Sequence, residues 1–208
     1  MNILILTVGT RGDVQPYVAL GRGLRDAGHA VLFITVAQFG DFVTSHGLEF
    51  APLPAEFLDL LQTGAGKAAV AGKGNPLKLL RMVQPIMRRM LDDAWRVAGT
   101  RKVDAVVYHP KALSGYSIAE KLGAAAVLAL PAPLYSPTRA FPSPILPFAN
   151  LGVLNRASHK LTIRLASLST RGVLNRWRKE VLGLPPVQDE LQLRGQPVLR
   201  LYPYSPAV

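Results

Sequence analysis

The chain has 208 residues, 49% of them hydrophobic and 18% charged, with a mean hydropathy of +0.21. That composition buries a real core and excludes a disordered polymer. With no cysteine there is no disulfide framework, thiolate zinc site or thiol nucleophile, and the scattered His29, His46, His109 and His159 show no metal-ligand spacing. No apolar run reaches the roughly 18 residues of a membrane span. The opening Met1–Leu6 lacks the basic start of a signal peptide; the expectation is a soluble, cytoplasmic chain.

Asn2–Val8 is a continuous apolar run, as in a parallel strand buried on both faces. Gly9-Thr10-Arg11-Gly12-Asp13 ends it, and a helix follows. Asp13 is its expected N-cap, Pro16 lies in the first turn, and Val14, Tyr17, Val18, Leu20 and Leu24 form the inward stripe. Gly28 stops the helix, and Ala30–Val36 begins a second strand, completing a βαβ unit. Gln38–His46 reads as a short helix and Leu48–Ala51 as a third strand. Glu56–Gln62 reads as helical turns, and 63–76, rich in Gly, Ala and Lys, as a loop. A long helix over Leu77–Ala98, a strand at Val103–Tyr108, a helix at Ala112–Leu122 and a strand at Ala125–Leu130 continue the alternation. Residues 131–147 are dense in proline, which forbids helix and central strand. Two basic amphipathic helices, Phe148–Ser169 and Arg171–Leu182, precede a last strand within Pro197–Tyr202.

Strands alternating with helices predict an α/β, Rossmann-like, doubly wound parallel sheet. Ligands of such sheets bind beyond the carboxyl ends of the strands, near the point where strand order reverses. That puts the Gly9–Asp13 turn, the turn after Val36, Tyr108–Leu113 and the proline-rich loop on one functional rim. The first turn lacks G-x-G-x-x-G, and its acid would repel a pyrophosphate at the helix start. Thr35-Val36-Ala37 stands where a ribose-binding acid is needed, so a dinucleotide-dependent oxidoreductase is disfavoured. An aspartate at this place has two uses: a helix cap, or a base that takes the proton from a hydroxyl held above the sheet.

The segment GTRGDVQPYVALGRGLRDAGHAV at 9–31 resembles the N-terminal signature of GT-B glycosyltransferases, in the family 28 branch of sterol and macrolide or glycopeptide glycosyltransferases. Ile118-Ala119-Glu120-Lys121-Leu122-Gly123 is similar to the helix before that branch's fifth strand. Pro137-Thr138-Arg139-Ala140-Phe141-Pro142 resembles the acceptor-side loop of sterol glucosyltransferases. Asn175-Arg176-Trp177-Arg178 with Leu182-Gly183-Leu184-Pro185, and Tyr204-Ser205-Pro206, resemble the approach to the interdomain linker. The resemblance implies an acceptor-binding N-terminal domain over 1–208, with 203–208 opening the linker and the donor-binding C-terminal domain absent.

It further implies inverting, metal-free transfer from a nucleoside-diphosphate sugar, UDP-glucose above all, to a lipid, sterol-like or polyketide-like hydroxyl. No other cofactor is implied. Asp13 is then the general base. Thr10, Arg11 and Gly12 line the cleft, and Tyr135, Thr138 and Phe141 are walls of the acceptor pocket. Thr138 and Arg139 can equally serve only to stabilise their loop. His109 either touches acceptor, orients Asp13 or is a solvated rim residue. The partner is the donor-binding domain, in cis or in trans, and this chain alone should transfer nothing.

The charge is uneven: residues 139–208 hold ten Lys/Arg against three Asp/Glu, a net of +7 within the total of +11. Arg156, Lys160, Arg164, Arg171, Arg176, Arg178 and Lys179 lie among leucines. A basic amphipathic helix can lie on a membrane surface; ordinary packing with arginines facing water is the competing reading. Nucleic-acid binding is not expected, because no aromatic stacking platform accompanies the arginines. A non-catalytic module for an apolar ligand or membrane surface is the alternative to the enzyme.

Overall fold

The computed structural model describes residues 1–54, 76–131, 137–187 and 189–202. The readings at 56–62 and 63–75, Tyr135 and the linker start at 203–208 lie outside the described residues.

Six parallel strands form the main sheet: β1 (Asn2–Leu6), β2 (Ala30–Val36), β3 (Glu49–Leu53), β4 (Ala105–Tyr108), β5 (Ala125–Ala129) and, after a two-residue hairpin of β6 (Gln192–Leu193) and β7 (Gln196–Pro197), β8 (Leu199–Leu201). Their order is β3-β2-β1-β4-β5-β8. The chain winds outward from β1 to β3, then returns to pair β4 against the other side of β1, so strand order reverses between β1 and β4. Pro52 sits inside β3, where an edge strand tolerates a missing N–H.

Helices cover both faces: α1 (Arg11–Asp26), α2 (Gly40–Thr44), α3 (Pro76–Ala98), α4 (Ser114–Leu122) and α5 (Asn155–Trp177). The apolar runs divide by strict alternation. Ile3 and Ile5 of β1 pack with Val14, Tyr17 and Val18 of α1, while Leu4 and Leu6 join Leu91, Ala94, Ile118 and Trp177 on the opposite face. At Gly115 the start of α4 lies so close to β4 that an added Cβ would stand 2.3 Å from Tyr108 Cβ.

Three expectations need correction. The N-cap of α1 is Thr10, and Asp13 is the third helical residue of a capping box. The basic segment is one helix, with no break near Thr170, running into a π-helical turn at Arg178–Leu182 and stopped by left-handed Gly183. Phe148–Asn150 stays irregular. Arg178, expected at the surface, is buried. Its guanidinium donates to Glu120 at 2.8 Å, Ser117 at 2.9 Å and the Pro185 carbonyl at 2.9 Å. That contact joins two of the segments noted in the sequence, one on α4 and one at the end of α5.

Candidate active site

The site follows from β1 and β4 being neighbours. Leu6 is in register with Tyr108, and the His109 N–H donates to the Leu6 carbonyl at 2.9 Å, so the turns leaving the two strands lie side by side. Asp13 comes from one turn, and His109 and Lys111 from the other.

The Asp13 side chain is 15% exposed and accepts from every side. Oδ2 takes the Thr10 N–H at 2.8 Å, the Thr10 hydroxyl at 3.1 Å and Lys111 Nζ at 2.9 Å. Oδ1 takes Lys111 Nζ at 3.0 Å and faces His109 Nε2 at 3.3 Å. The backbone is shaped to allow this. Gly9 has φ +145°, and a Cβ there would lie 2.1 Å from Asp13 Oδ2. Thr7 anchors the same turn through its hydroxyl, which donates to the Asp13 carbonyl at 2.7 Å.

His109 is buried, which excludes the solvated-rim reading, and its tautomer follows from its partners. Nδ1 accepts the Lys111 N–H at 3.0 Å, so in the neutral ring the proton is on Nε2 and points at Asp13. Burial pushes the imidazole down to about 4, outweighing the pull of the Asp13 carboxylate; the nearby Lys111 ammonium works in the same direction as burial. At neutral pH His109 is therefore an uncharged donor that holds Asp13 in place. Tyr17 backs the pair: its ring meets His109 edge-on at 5.8 Å, and its hydroxyl donates to the Ala129 carbonyl at 2.5 Å. Burial, with the Asp13 charge, raises the Tyr17 phenol and keeps it protonated.

Burial also acts to raise the Asp13 carboxyl. The Lys111 ammonium and the Thr10 N–H outweigh it and hold the group below the ordinary aspartate value. Asp13 is thus ionised but strongly solvated by protein donors. Thr10 N–H is fixed by the helix cap and His109 by burial; Lys111, with a side chain 55% exposed, is the donor an incoming hydroxyl can displace.

The other expected residues divide. Thr10 is at the carboxylate. Arg11 turns along α1 instead, donating to Gln15 at 3.1 Å and lying 5.0 Å over the Phe42 ring. Gly12 is open, with Thr10 Oγ1 at 3.9 Å from a notional Cβ. Thr138 accepts the Ala140 N–H at 3.1 Å, the loop-stabilising alternative. Phe141 is exposed and sets its ring edge against His159, whose Nε2 donates to the Phe141 carbonyl at 3.0 Å. Lys111 and Tyr17 are site residues the sequence reading lacks; it puts Tyr108–Leu113 on the same rim as Gly9–Asp13, and the pairing of β1 with β4 shows that Lys111 reaches Asp13.

This fold and rim define a class. Residues 3–138 match the model of the glycosyltransferase family 28 N-terminal domain, and the chain belongs to that family. It is 36% identical over 213 residues to a sterol 3-beta-glucosyltransferase of Saccharomyces cerevisiae, covering 98% of this chain and 17% of the relative. A sterol 3-beta-glucosyltransferase of Candida albicans is 34% identical over 212 residues, covering 100% of this chain and 14% of the relative. Among solved structures, the glycosyltransferase SsfS6 of Streptomyces sp. SF2575, complexed with thymidine diphosphate, superposes with TM-score 0.58 at 26% identity, over 96% of this chain and 48% of that one. SnogD of Streptomyces nogalater shares the fold, with TM-score 0.58 at 19% identity over 90% of this chain and 42% of that one. The chain thus spans less than a fifth of the length of the two fungal relatives and about half of SsfS6.

Proposed function

We propose that this domain is the acceptor side of an inverting glycosyltransferase, with Asp13 as general base, UDP-glucose as donor and a sterol-like alcohol as acceptor. The carrying observation is a carboxylate at the strand-order reversal whose fixed donors leave one exchangeable place, filled by the exposed Lys111 ammonium. The sterol glucosyltransferase relatives support the substrate class.

In this reading the acceptor hydroxyl displaces Lys111 and donates its hydrogen bond to Asp13. As the oxygen forms its bond to the anomeric carbon, its proton passes to the carboxylate. The carbon–oxygen bond to the diphosphate breaks on the opposite face, and Asp13 later returns the proton to water. His109 Nε2–H remains on Oδ1 throughout and keeps the carboxylate aimed. The nucleotide-sugar site belongs to a second domain, joined in cis or supplied in trans.

The test is glucose transfer from UDP-glucose to cholesterol by this chain together with a donor-binding domain. The expected product is the β-glucoside, and Asp13→Ala lowers turnover by about 10²–10⁴-fold with donor affinity little changed. Near-normal turnover in that variant removes Asp13 as the base, and an α-glucoside removes the inverting mechanism.

A further inference from the structure

Helix α5 is inside out relative to a water-facing amphipathic helix. Its buried stripe at the N-terminal half is polar: Asn155, Ser158, His159 and Thr162. These side chains satisfy the loop that leaves the sheet after β5. Asn155 donates to the Arg139 carbonyl at 2.9 Å, Ser158 accepts the Ser143 N–H at 2.8 Å, and Thr162 donates to the Ser143 hydroxyl at 2.9 Å. With the polar side committed inward, the leucines face out. Leu154, Leu161, Leu165 and Leu168 are 54–59% exposed. At about 100° per residue they form one stripe along the helix. Ile145, Phe148 and Val153, just before the helix, are exposed as well.

The helix's own charges beside this stripe are all cationic; among the described residues the one carboxylate against that flank, Glu190, accepts from Ser167 at 3.2 Å and faces Arg171, past the leucines' first three turns. Lys160 and Arg164 are exposed and fall along the flank of the leucines opposite the buried polar stripe, with exposed Arg156 further round the helix. No acidic residue occurs between Glu120 and Glu180, a span holding nine Lys and Arg. A second copy of the chain packed antiparallel on the same face about a two-fold axis would set cations against cations. An apolar stripe bordered by cations instead matches the boundary between headgroups and acyl chains of an anionic bilayer.

We infer that the outer face of α5, with the Ile145–Val153 segment leading into it, is a docking surface for anionic lipid membranes. The domain lies on the bilayer with Leu154, Leu161, Leu165 and Leu168 in the acyl boundary and Lys160 and Arg164 among the phosphates. The loop that precedes this helix also carries Thr138 and Phe141, so the surface adjoins the segment expected to meet a lipid acceptor. The inference stands on exposed side chains far in sequence from Asp13. Its readout needs neither donor nor transfer, so its failure and that of the proposed function are separable.

The experiment is co-sedimentation of the 208-residue chain with vesicles of phosphatidylcholine plus phosphatidylserine, compared with phosphatidylcholine alone. Binding should require phosphatidylserine and weaken as salt is raised. Lys160→Glu/Arg164→Glu should lower partitioning by at least about tenfold, and Leu161→Ser/Leu165→Ser should abolish it. Both pairs are exposed, and unchanged thermal unfolding and circular dichroism verify the fold. Arg22→Glu/Lys102→Glu, the same charge change on other surfaces, should retain binding. Binding that survives the leucine variant, or falls equally in the Arg22/Lys102 variant, overturns the inference. So does no binding by the wild-type chain, or a wild-type dimer made monomeric by the leucine substitutions, which would assign the face to a second copy.

Discussion

Lys111 Nζ bridges both oxygens of the Asp13 carboxylate, at 3.0 and 2.9 Å, across 98 positions of sequence. The contact keeps the carboxylate charged and occupied until something replaces the ammonium. A carboxylate of lowered pKa is a weak base, so in the proposed reading displacement of Lys111 by an acceptor hydroxyl would strengthen Asp13. Removing the cation should have the same electrostatic effect. Lys111→Met is expected to raise the Asp13 pKa, read from the side-chain carboxyl carbon in a carbon-13 NMR titration. An unmoved titration would mean that Lys111 has no hold on the base.

His109 predicts how stability depends on pH. Its folded value of about 4 lies below the ordinary histidine value of 6.5, so between those limits the unfolded chain binds a proton that the native chain does not. Stability is complete above the upper limit and falls as pH drops through the window, by roughly 2–4 kcal/mol. Asp13, also lowered, adds a further loss below the ordinary aspartate range. Urea unfolding across this window should show the slope in the wild type and lose most of it in His109→Asn. An equal slope in both would assign the protons elsewhere.

The turn makes a sharp contrast between two neighbouring glycines. Gly9→Ala places a methyl group on Asp13 Oδ2 at a φ that side chains avoid, and should destabilise by about 1–3 kcal/mol while expelling the carboxylate. Gly12→Ala meets open space inside α1 and should be neutral or stabilising by up to about 1 kcal/mol. Thermal unfolding of the pair checks this, and equal melting temperatures would contradict the packing around Gly9.

Arg178, with its side chain 2% exposed, pairs with the half-buried Glu120 of α4, 22% exposed. Arg178→Ala leaves Glu120, Ser117 and the Pro185 carbonyl without their donor and is expected to cost about 3 kcal/mol. Adding Glu120→Gln should recover part of that loss, because the stranded charge is gone. A double variant no better than the single one in urea unfolding would show that lost packing, not lost pairing, dominates.

Most of the sheet was legible because β1, β2, β4 and β5 are largely apolar runs; which face Ile3 and Ile5 or Leu4 and Leu6 take is shown by the packing. The rim was legible too, since a glycine-bearing turn and an acid at a helix start are local features. Helix α5 was not. Its leucines read either as a core stripe or as a membrane-facing one, and the choice falls to the structure: the buried groups are Asn155, Ser158, His159 and Thr162, because the proline-rich loop brings backbone N–H and C=O groups that need partners. Periodicity finds a stripe without saying which side must satisfy a loop.

The linear chain therefore settles the alternation of strand and helix and that Asp13 stands at the start of α1, though not which residue caps it, since both depend on neighbours a few residues away. Folding settles what surrounds that carboxylate. His109 and Lys111 reach it because β4 pairs with β1 rather than with β3, and Lys111 then supplies the opposite charge that holds Asp13 in check. Strand pairing is a long-range choice made by the whole packed sheet, and no local pattern of residues encodes it.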